Sequence, residues 1–159
     1  MDVLSFGATK NGAMGAEAVV SFRPAAESSL RYIRKQSMQL ASKMRFVSAQ
    51  FTALLSGDLW RTNAEQANRM ARRLADGVAG MEGVDGVEVA HPVEANAVFA
   101  AIPPDVARAL QHEYPFYVWD EATHVVRWMT SFDTTEGDVD DFVARVAELM
   151  ASHRAPLRG

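Results

Sequence analysis

Two short apolar runs separated by a glycine-rich segment constrain the start of this fold most strongly. The runs predict β-strands at 2–6 and 17–22, and the connection between them contains Gly7, Gly12 and Gly15. Glycine reaches backbone conformations that are costly for other residues, so a tight turn is expected between the strands. Functional side chains often lie on such a loop, held by the strands on either side.

A helical period follows the second strand. Between 28 and 55, apolar residues recur at three- and four-residue steps, which predicts one long helix with an apolar stripe. The stripe comprises Leu30, Ile33, Leu40, Met44, Val47, Phe51 and Leu54. Thr62 and Glu65 predict a capping box for a second helix, which runs to about Ala79 and can end at Gly80. Its predicted buried residues are Met70, Leu74 and Val78.

The remainder of the chain predicts a small α+β layer with helices on one face of a mainly antiparallel sheet. A loop is expected at 81–86, a short helix at Pro104, a hairpin turn at 120–123 and a last helix from Thr135. The predicted strands are 87–90, 96–102, 116–119 and 125–130. The predicted buried residues of the last helix are Val139, Phe142, Val143, Val146, Leu149 and Met150.

Bulk composition excludes several classes of protein. The 159 residues are 48% apolar and 23% charged, which permits a sizeable core, and the net charge of −4 leaves no basic footprint for nucleic acid. No apolar stretch reaches the roughly 18 residues of a membrane span. The chain has no cysteine and no recognisable signal peptide, so a cytoplasmic location is expected.

Lys10 is the leading candidate for chemistry, because it lies in the glycine-rich connection directly after Thr9. A lysine amine is a poor nucleophile at its ordinary pKa of about 10, and burial or neighbouring cations activate it. The local pattern alone is equally compatible with a solvated lysine in a turn. A phosphate-binding P-loop is excluded because Asn11 follows the lysine, and the glycine spacing is not that of a dinucleotide site.

The segment Ser5-Phe6-Gly7-Ala8-Thr9-Lys10-Asn11-Gly12 resembles the cofactor-lysine region of the low-specificity L-threonine aldolases, which are fold-type-I enzymes dependent on pyridoxal phosphate (PLP). The resemblance continues to residue 20, resumes at 39–46 and is weak at 126–128. It implies an α/β fold that forms only the C-terminal part of such an enzyme. In this interpretation, 1–56 belongs to the large PLP-binding domain with a long helix, 57–80 is a linking helix and 81–159 is the small α+β domain.

The resemblance also implies roles for individual residues. Lys10 would form a Schiff base with PLP, and Thr9 would assist at the cofactor phosphate. Arg127 would bind the substrate carboxylate, for which a planar guanidinium offers two parallel hydrogen bonds. Strand alternation alone makes an edge-strand arginine facing water the simpler interpretation. Arg45 would lie near the cofactor or the partner subunit's site, and its simpler interpretation is a solvated helix charge.

The implied reaction is cleavage of β-hydroxy-α-amino acids such as L-threonine to glycine and an aldehyde, by an enzyme that assembles as a dimer or tetramer. Another fold-type-I activity, a β-eliminating lyase or an aminotransferase, and an inactive fragment that only associates with other subunits are the alternatives. Cofactor-binding groups expected upstream of the lysine are not recognisable, so the chain is expected to be truncated and to bind PLP weakly alone. The four histidines have no ligand spacing, and no metal is expected.

Overall fold

The computed structural model describes residues 1–23, 27–81 and 86–154. The chain divides into two compact units, Met1–Asn63 and Ala64–Gly159. Most of the loop predicted at 81–86 lies outside the described residues. No described helix is long and apolar enough to cross a membrane.

The first unit begins with the two predicted strands. β1 (Val3–Gly7) and β2 (Glu17–Ser21) pair antiparallel, from Val3 opposite Ser21 to Gly7 opposite Glu17. The strands are therefore confirmed, and they form a two-stranded sheet of their own.

Two helices follow, where the sequence predicts one. α1 (Glu27–Gln36) and α2 (Met44–Leu55) are separated by a non-helical segment, so the continuous helix over 28–55 is wrong. Met38 and Lys43 have φ of 55° and 60°, a left-handed conformation that a right-handed helix of L-residues does not accommodate. The apolar period continues across the segment even though the helix does not.

α3 (Leu59–Ala79) crosses the division between the units, and the second unit continues with a sheet and two more helices. Its elements are β3 (Glu88–Val89), β4 (Ala97–Ala101), α4 (Pro104–Gln111), β5 (Tyr117–Asp120), β6 (Val125–Met129) and α5 (Glu136–Arg154). All strand pairs are antiparallel, in the order β3-β4-β6-β5. The four predicted strands, the helix opening at Pro104 and the small α+β layer are thus confirmed.

The core of the second unit lies on one face of this sheet. Val98 and Ala100 of β4 are buried, as are Val126 and Trp128 of β6. The alternate residues of both strands are more exposed, except that Val125 at the start of β6 is also buried. Helices supply the other side of the core, and their predicted buried positions are confirmed. The fully buried ones are Met70, Leu74, Val78, Val139, Val146 and Met150.

Helix capping occurs at a different place from the predicted one. The capping box at Thr62 is wrong, because α3 already begins at Leu59 and the Thr62 amide donates to the carbonyl of Asp58 at 2.9 Å. A reciprocal cap forms instead before α5. The Thr135 amide donates to Asp138 Oδ2 at 2.8 Å, and the Asp138 amide donates to Thr135 Oγ1 at 3.2 Å.

Candidate functional site

Lys10 is the middle residue of a single 3₁₀ turn, Thr9–Asn11, between β1 and β2. The turn is closed beneath it by two buried alanines: the Ala8 amide donates to the Ala16 carbonyl at 2.8 Å. The Lys10 side chain is exposed. The fold therefore presents this amine outward from a short, closed loop.

Asn11 ties the loop to the start of α3. Its Nδ2 donates to the Trp60 carbonyl at 3.0 Å, and its own carbonyl accepts from Asn63 Nδ2 at 2.9 Å. Gly12 then turns the chain at φ 103°, a conformation that glycine adopts without strain. Sequence reasoning missed Asn11, because its partners lie about fifty residues away.

Thr9 donates its hydroxyl to Glu17 Oε1 at 2.9 Å. Glu17 begins β2 opposite Gly7, and a Cβ at Gly7 would collide with its carboxylate. Gly7 is thus required for close approach of the Glu17 side chain rather than for an unusual backbone angle. Glu17 was not among the predicted site residues. The signal that could have identified it is an acidic residue at the first position of an otherwise apolar strand.

Arg127 lies on β6, which is paired on both sides by β4 and β5 and is not an edge strand. Its side chain is half-buried, and its Nε is buried with no hydrogen-bond partner. The guanidinium carbon lies 5.1 Å from the ring centroid of Trp119 and 5.9 Å from that of Tyr117. The simpler interpretation of Arg127, an edge-strand arginine facing water, is therefore wrong in its placement.

Aromatic rings continue away from Arg127 across the sheet. Trp119 meets Phe99 of β4 edge to face at 5.3 Å between centroids, and Phe99 meets His91 in the same way at 5.5 Å. We call these four rings, His91, Phe99, Trp119 and Tyr117, the aromatic face. It lies on the side of the sheet opposite the core.

Arg45 lies on α2 with an exposed side chain. Its guanidinium carbon is 4.7 Å from the ring centroid of its neighbour Phe46, which is itself exposed. Lys10, Thr9 and Arg45 belong to the first unit, whereas Arg127 belongs to the second.

The described carboxylates whose pKa values shift have structural partners. The Thr123 hydroxyl, and next the Ala122 amide, lower the pKa of Asp120 at the β5–β6 turn. The antiparallel pairing of β5 with β6, which places Asp120 opposite Val125, confirms the predicted hairpin. The Arg73 guanidinium lowers the pKa of Asp140. Within the described ranges, no three histidine or acidic side chains cluster as potential metal ligands.

Comparison with known proteins identifies relatives along nearly the whole chain. This chain is 38% identical over 153 residues to a low-specificity L-threonine aldolase of Pseudomonas sp. (strain NCIMB 10558). The aligned residues cover 96% of this chain and 43% of that protein. It is 42% identical over 135 residues to the Pseudomonas aeruginosa protein of the same name, covering 84% and 38%. The resemblance to the low-specificity L-threonine aldolase family is confirmed.

A solved structure agrees. The threonine aldolase of Leishmania major superposes with a TM-score of 0.78 at 26% identity, over 94% of this chain and 43% of that one. The predicted fold class, a C-terminal part of a fold-type-I enzyme, is thereby confirmed. The chain spans less than half the length of these threonine aldolases. No family model matches it.

Proposed function

We propose that this chain forms the C-terminal part of a PLP-dependent lyase that cleaves β-hydroxy-α-amino acids such as L-threonine to glycine and an aldehyde. The observation that carries the proposal is Lys10, exposed on its closed turn, in a chain 38–42% identical to proteins named L-threonine aldolase. Activity belongs to the longer assembly, because this chain spans only 43% of such a relative.

The residues around Lys10 fit pyridoxal phosphate. An exposed amine on a short turn can reach an aldehyde, and the hydroxyl of Thr9 is one residue away for the phosphate. Thr9 already donates to Glu17, so its hydroxyl has a defined orientation and would exchange this partner for a phosphate oxygen. Bound PLP supplies an electron-withdrawing ring that weakens the bonds to the substrate Cα. Lys10 would hold the cofactor and move a proton at Nζ.

Arg127 would orient the substrate carboxylate. Its guanidinium has a fixed fork of donors that matches a carboxylate. Its Nε is buried and has no hydrogen-bond partner within the protein. Holding the carboxylate fixes the rotation about the bond between the substrate nitrogen and its Cα. This rotation decides whether the Cα–Cβ bond is the one that breaks. Arg45 remains a candidate for contact with the cofactor or a partner subunit's site.

The proposal includes association of this chain with other polypeptide chains. Large apolar side chains of the first unit are exposed, including Met14 at 84% and Met38 at 89%. Exposed apolar patches commonly mark interaction surfaces. We therefore propose that the complete protein is a homo-oligomer, a dimer or tetramer. We also propose that it acts in the cytoplasm on a small amino-acid substrate.

Borohydride trapping tests the role of Lys10. The chain would be combined with a polypeptide that carries the upstream portion of a relative, incubated with PLP, reduced and mapped by mass spectrometry. Lys10, Lys35 and Lys43 are the only lysines in the sequence, so each can be resolved. We expect the pyridoxyl label on Lys10, its loss in Lys10→Arg and its retention in Lys35→Arg. A label on another lysine, or on none, contradicts the proposal.

Product analysis separates the lyase from the alternative fold-type-I activities. Incubation of the same assembly with L-threonine should yield glycine and acetaldehyde in equal amounts. Formation of a keto acid with release of ammonia would identify a β-eliminating lyase. Transfer of the amino group to an added keto acid would identify an aminotransferase.

A further inference from the structure

The aromatic face places two rings against one cation. Tyr117 is directly opposite Arg127 in the β5–β6 ladder, and Trp119 is two residues further along β5. The ladder shifts register between Val118 and Asp120, so Trp119 is the unpaired residue of a β-bulge. A bulge bends a strand and re-aims a side chain. Here the bulged residue brings its ring within 5.1 Å of the Arg127 guanidinium carbon.

The rings are exposed although they are large and apolar. Tyr117 is 73% exposed and Trp119 57% exposed, so burial in the core does not explain their position. Phe99, on the strand at the other side of β6, packs edge to face against Trp119 and supports it. The exposed rings of Tyr117 and Trp119 therefore pack against the Arg127 guanidinium rather than into the core.

A guanidinium between aromatic rings is restrained without losing its hydrogen-bonding capacity. The rings attract the cation through their negative faces, and this attraction leaves the N–H groups unpaired. The buried Arg127 Nε, which no protein acceptor satisfies, is consistent with such a frame. Restraint before binding reduces the conformational entropy that is lost when a ligand is bound.

We propose that Trp119 and Tyr117 are positioning residues, which hold the Arg127 guanidinium ready for a carboxylate attached to an apolar or aromatic group. The inference rests on the proposed function only in assigning that carboxylate to the substrate. The cation selects the charged group, and the exposed rings beside it favour an apolar body over a fully hydrated one. Trp119 therefore contributes to specificity as well as to position.

The test follows the Arg127 side chain by nuclear magnetic resonance in the 159-residue chain. Its Nε–Hε signal, assigned by its loss in Arg127→Lys, should be shifted upfield by the ring currents of Trp119 and Tyr117. Sodium benzoate is the probe, at constant ionic strength. Benzamide, which has the same shape without the charge, is the matched control ligand. We expect benzoate, and not benzamide, to move the Arg127 signal.

Variants of Trp119 separate positioning from mere stability. Trp119→Leu should abolish the upfield shift and weaken benzoate binding about threefold to tenfold, the range expected for loss of a cation–π contact. Trp119→Phe keeps a ring and should restore both properties. Trp60→Leu, which removes an indole from the first unit, should change neither. Tyr117→Leu provides a second independent variant on the same guanidinium.

Two results would overturn the inference. One is benzoate binding as tight in Trp119→Leu as in the parent, and the other is an Arg127 signal that responds equally to benzamide or to neither ligand. Neither result affects the label expected on Lys10. Conversely, failure to label Lys10 would reject the proposed function and leave the benzoate result intact.

Discussion

Thr130 illustrates how one residue links three elements of the second unit. It is the buried polar side chain among the described residues, 6% exposed. Its hydroxyl donates to the Ala67 carbonyl of α3 at 2.7 Å, with the Asn96 carbonyl at 3.3 Å. The Asn96 side chain in turn donates to the Thr130 carbonyl at 2.8 Å. The end of β6 is therefore fastened to both a helix and the neighbouring strand.

Replacement of Thr130 by valine should destabilise the second unit. Valine keeps the shape but removes the donor to the Ala67 carbonyl, and one intramolecular hydrogen bond contributes about 0.5–1.5 kcal/mol. Urea unfolding followed by circular dichroism measures the loss. Thr62→Val, at an exposed position of α3, is the control and should change stability by less than about 0.5 kcal/mol. Equal effects of the two substitutions would contradict this role for the hydroxyl.

Gly77 shows a second single-residue constraint, where α3 meets α5. A Cβ added at Gly77 would lie 2.8 Å from Cγ2 of Val143. Alanine ordinarily gains roughly 1 kcal/mol over glycine inside a helix, but overpacking costs about 1–3 kcal/mol. We expect Gly77→Ala to lower the free energy of unfolding.

Gly137 offers the matched comparison for Gly77. It lies in the first turn of α5, and a Cβ there would find its nearest neighbour at 3.8 Å. Gly137→Ala should therefore leave stability unchanged or raise it by up to about 1 kcal/mol. Denaturant midpoints of the two variants, compared with the parent, decide the sign. Stabilisation by Gly77→Ala would show that Val143 moves aside without cost.

At the scale of elements, the start of α5 depends on the charge of one carboxylate. The Thr135 hydroxyl, followed by the Thr135 amide, lowers the pKa of Asp138 below its ordinary value. A carboxyl whose pKa is lower folded than unfolded stabilises the protein above its unfolded pKa of about 3.9. That contribution is lost as the pH falls through the folded pKa.

Asp138→Asn should remove this dependence on pH. Asparagine keeps an acceptor for the Thr135 amide but not the charge, so the variant should be less stable than the parent at pH 7. The difference should narrow below about pH 4, where the parent carboxyl becomes protonated. Unfolding curves between pH 3 and 7 measure it, with Asp141→Asn on the same helix as control. A difference that stays constant with pH would contradict the assignment.

At the scale of the whole molecule, the two units differ in how much core they have. The buried cluster of the first unit contains Ala8, Ala16 and Leu54, with Val47 and Phe51 partly buried beside it. The second unit buries residues from all three of its helices and from the sheet. An isolated two-stranded sheet is only marginally stable in water, whereas a larger sheet packed against helices can be stable by itself.

Hydrogen exchange should therefore divide the chain in two. We expect amides in the β1–β2 ladder to exchange at least about tenfold faster than those in the β4–β6 ladder, because local opening of the first unit exposes little core. Exchange measured by mass spectrometry on peptides from each ladder gives the comparison. Equal protection in both ladders would show that the first unit has stability of its own.

We expect cofactor binding to require the longer protein rather than this chain alone. The 159-residue chain alone should bind PLP weakly or not at all, because Lys10 is exposed and the chain spans 43% of a relative's length. Absorbance spectra of the chain mixed with PLP should match those of Lys10→Ala. A stable signal present in the parent and absent in the variant would contradict this expectation.

The local spacing of apolar residues predicted most elements of this fold, because short strands and amphipathic helices each have a characteristic spacing of apolar residues. It failed where backbone conformation overrides period: the stripe of 28–55 continues through Met38 and Lys43, but their left-handed conformation ends the helix. It also misplaced a cap, because Thr62 has the right neighbours but lies inside a helix. Family resemblance, rather than pattern, selected Lys10 and Arg127.

The sequence by itself determined the strands and the buried helix faces of the second unit, because these depend on residue type and spacing along the chain. The kinship with threonine aldolases came from the resemblance of whole segments. Tertiary structure decided what surrounds each candidate side chain. Asn11 is anchored by residues about fifty positions away, and a β-bulge sets Trp119 against Arg127. Such contacts depend on register and chain path, which no local spacing specifies, because they arise only when distant segments are brought together in space.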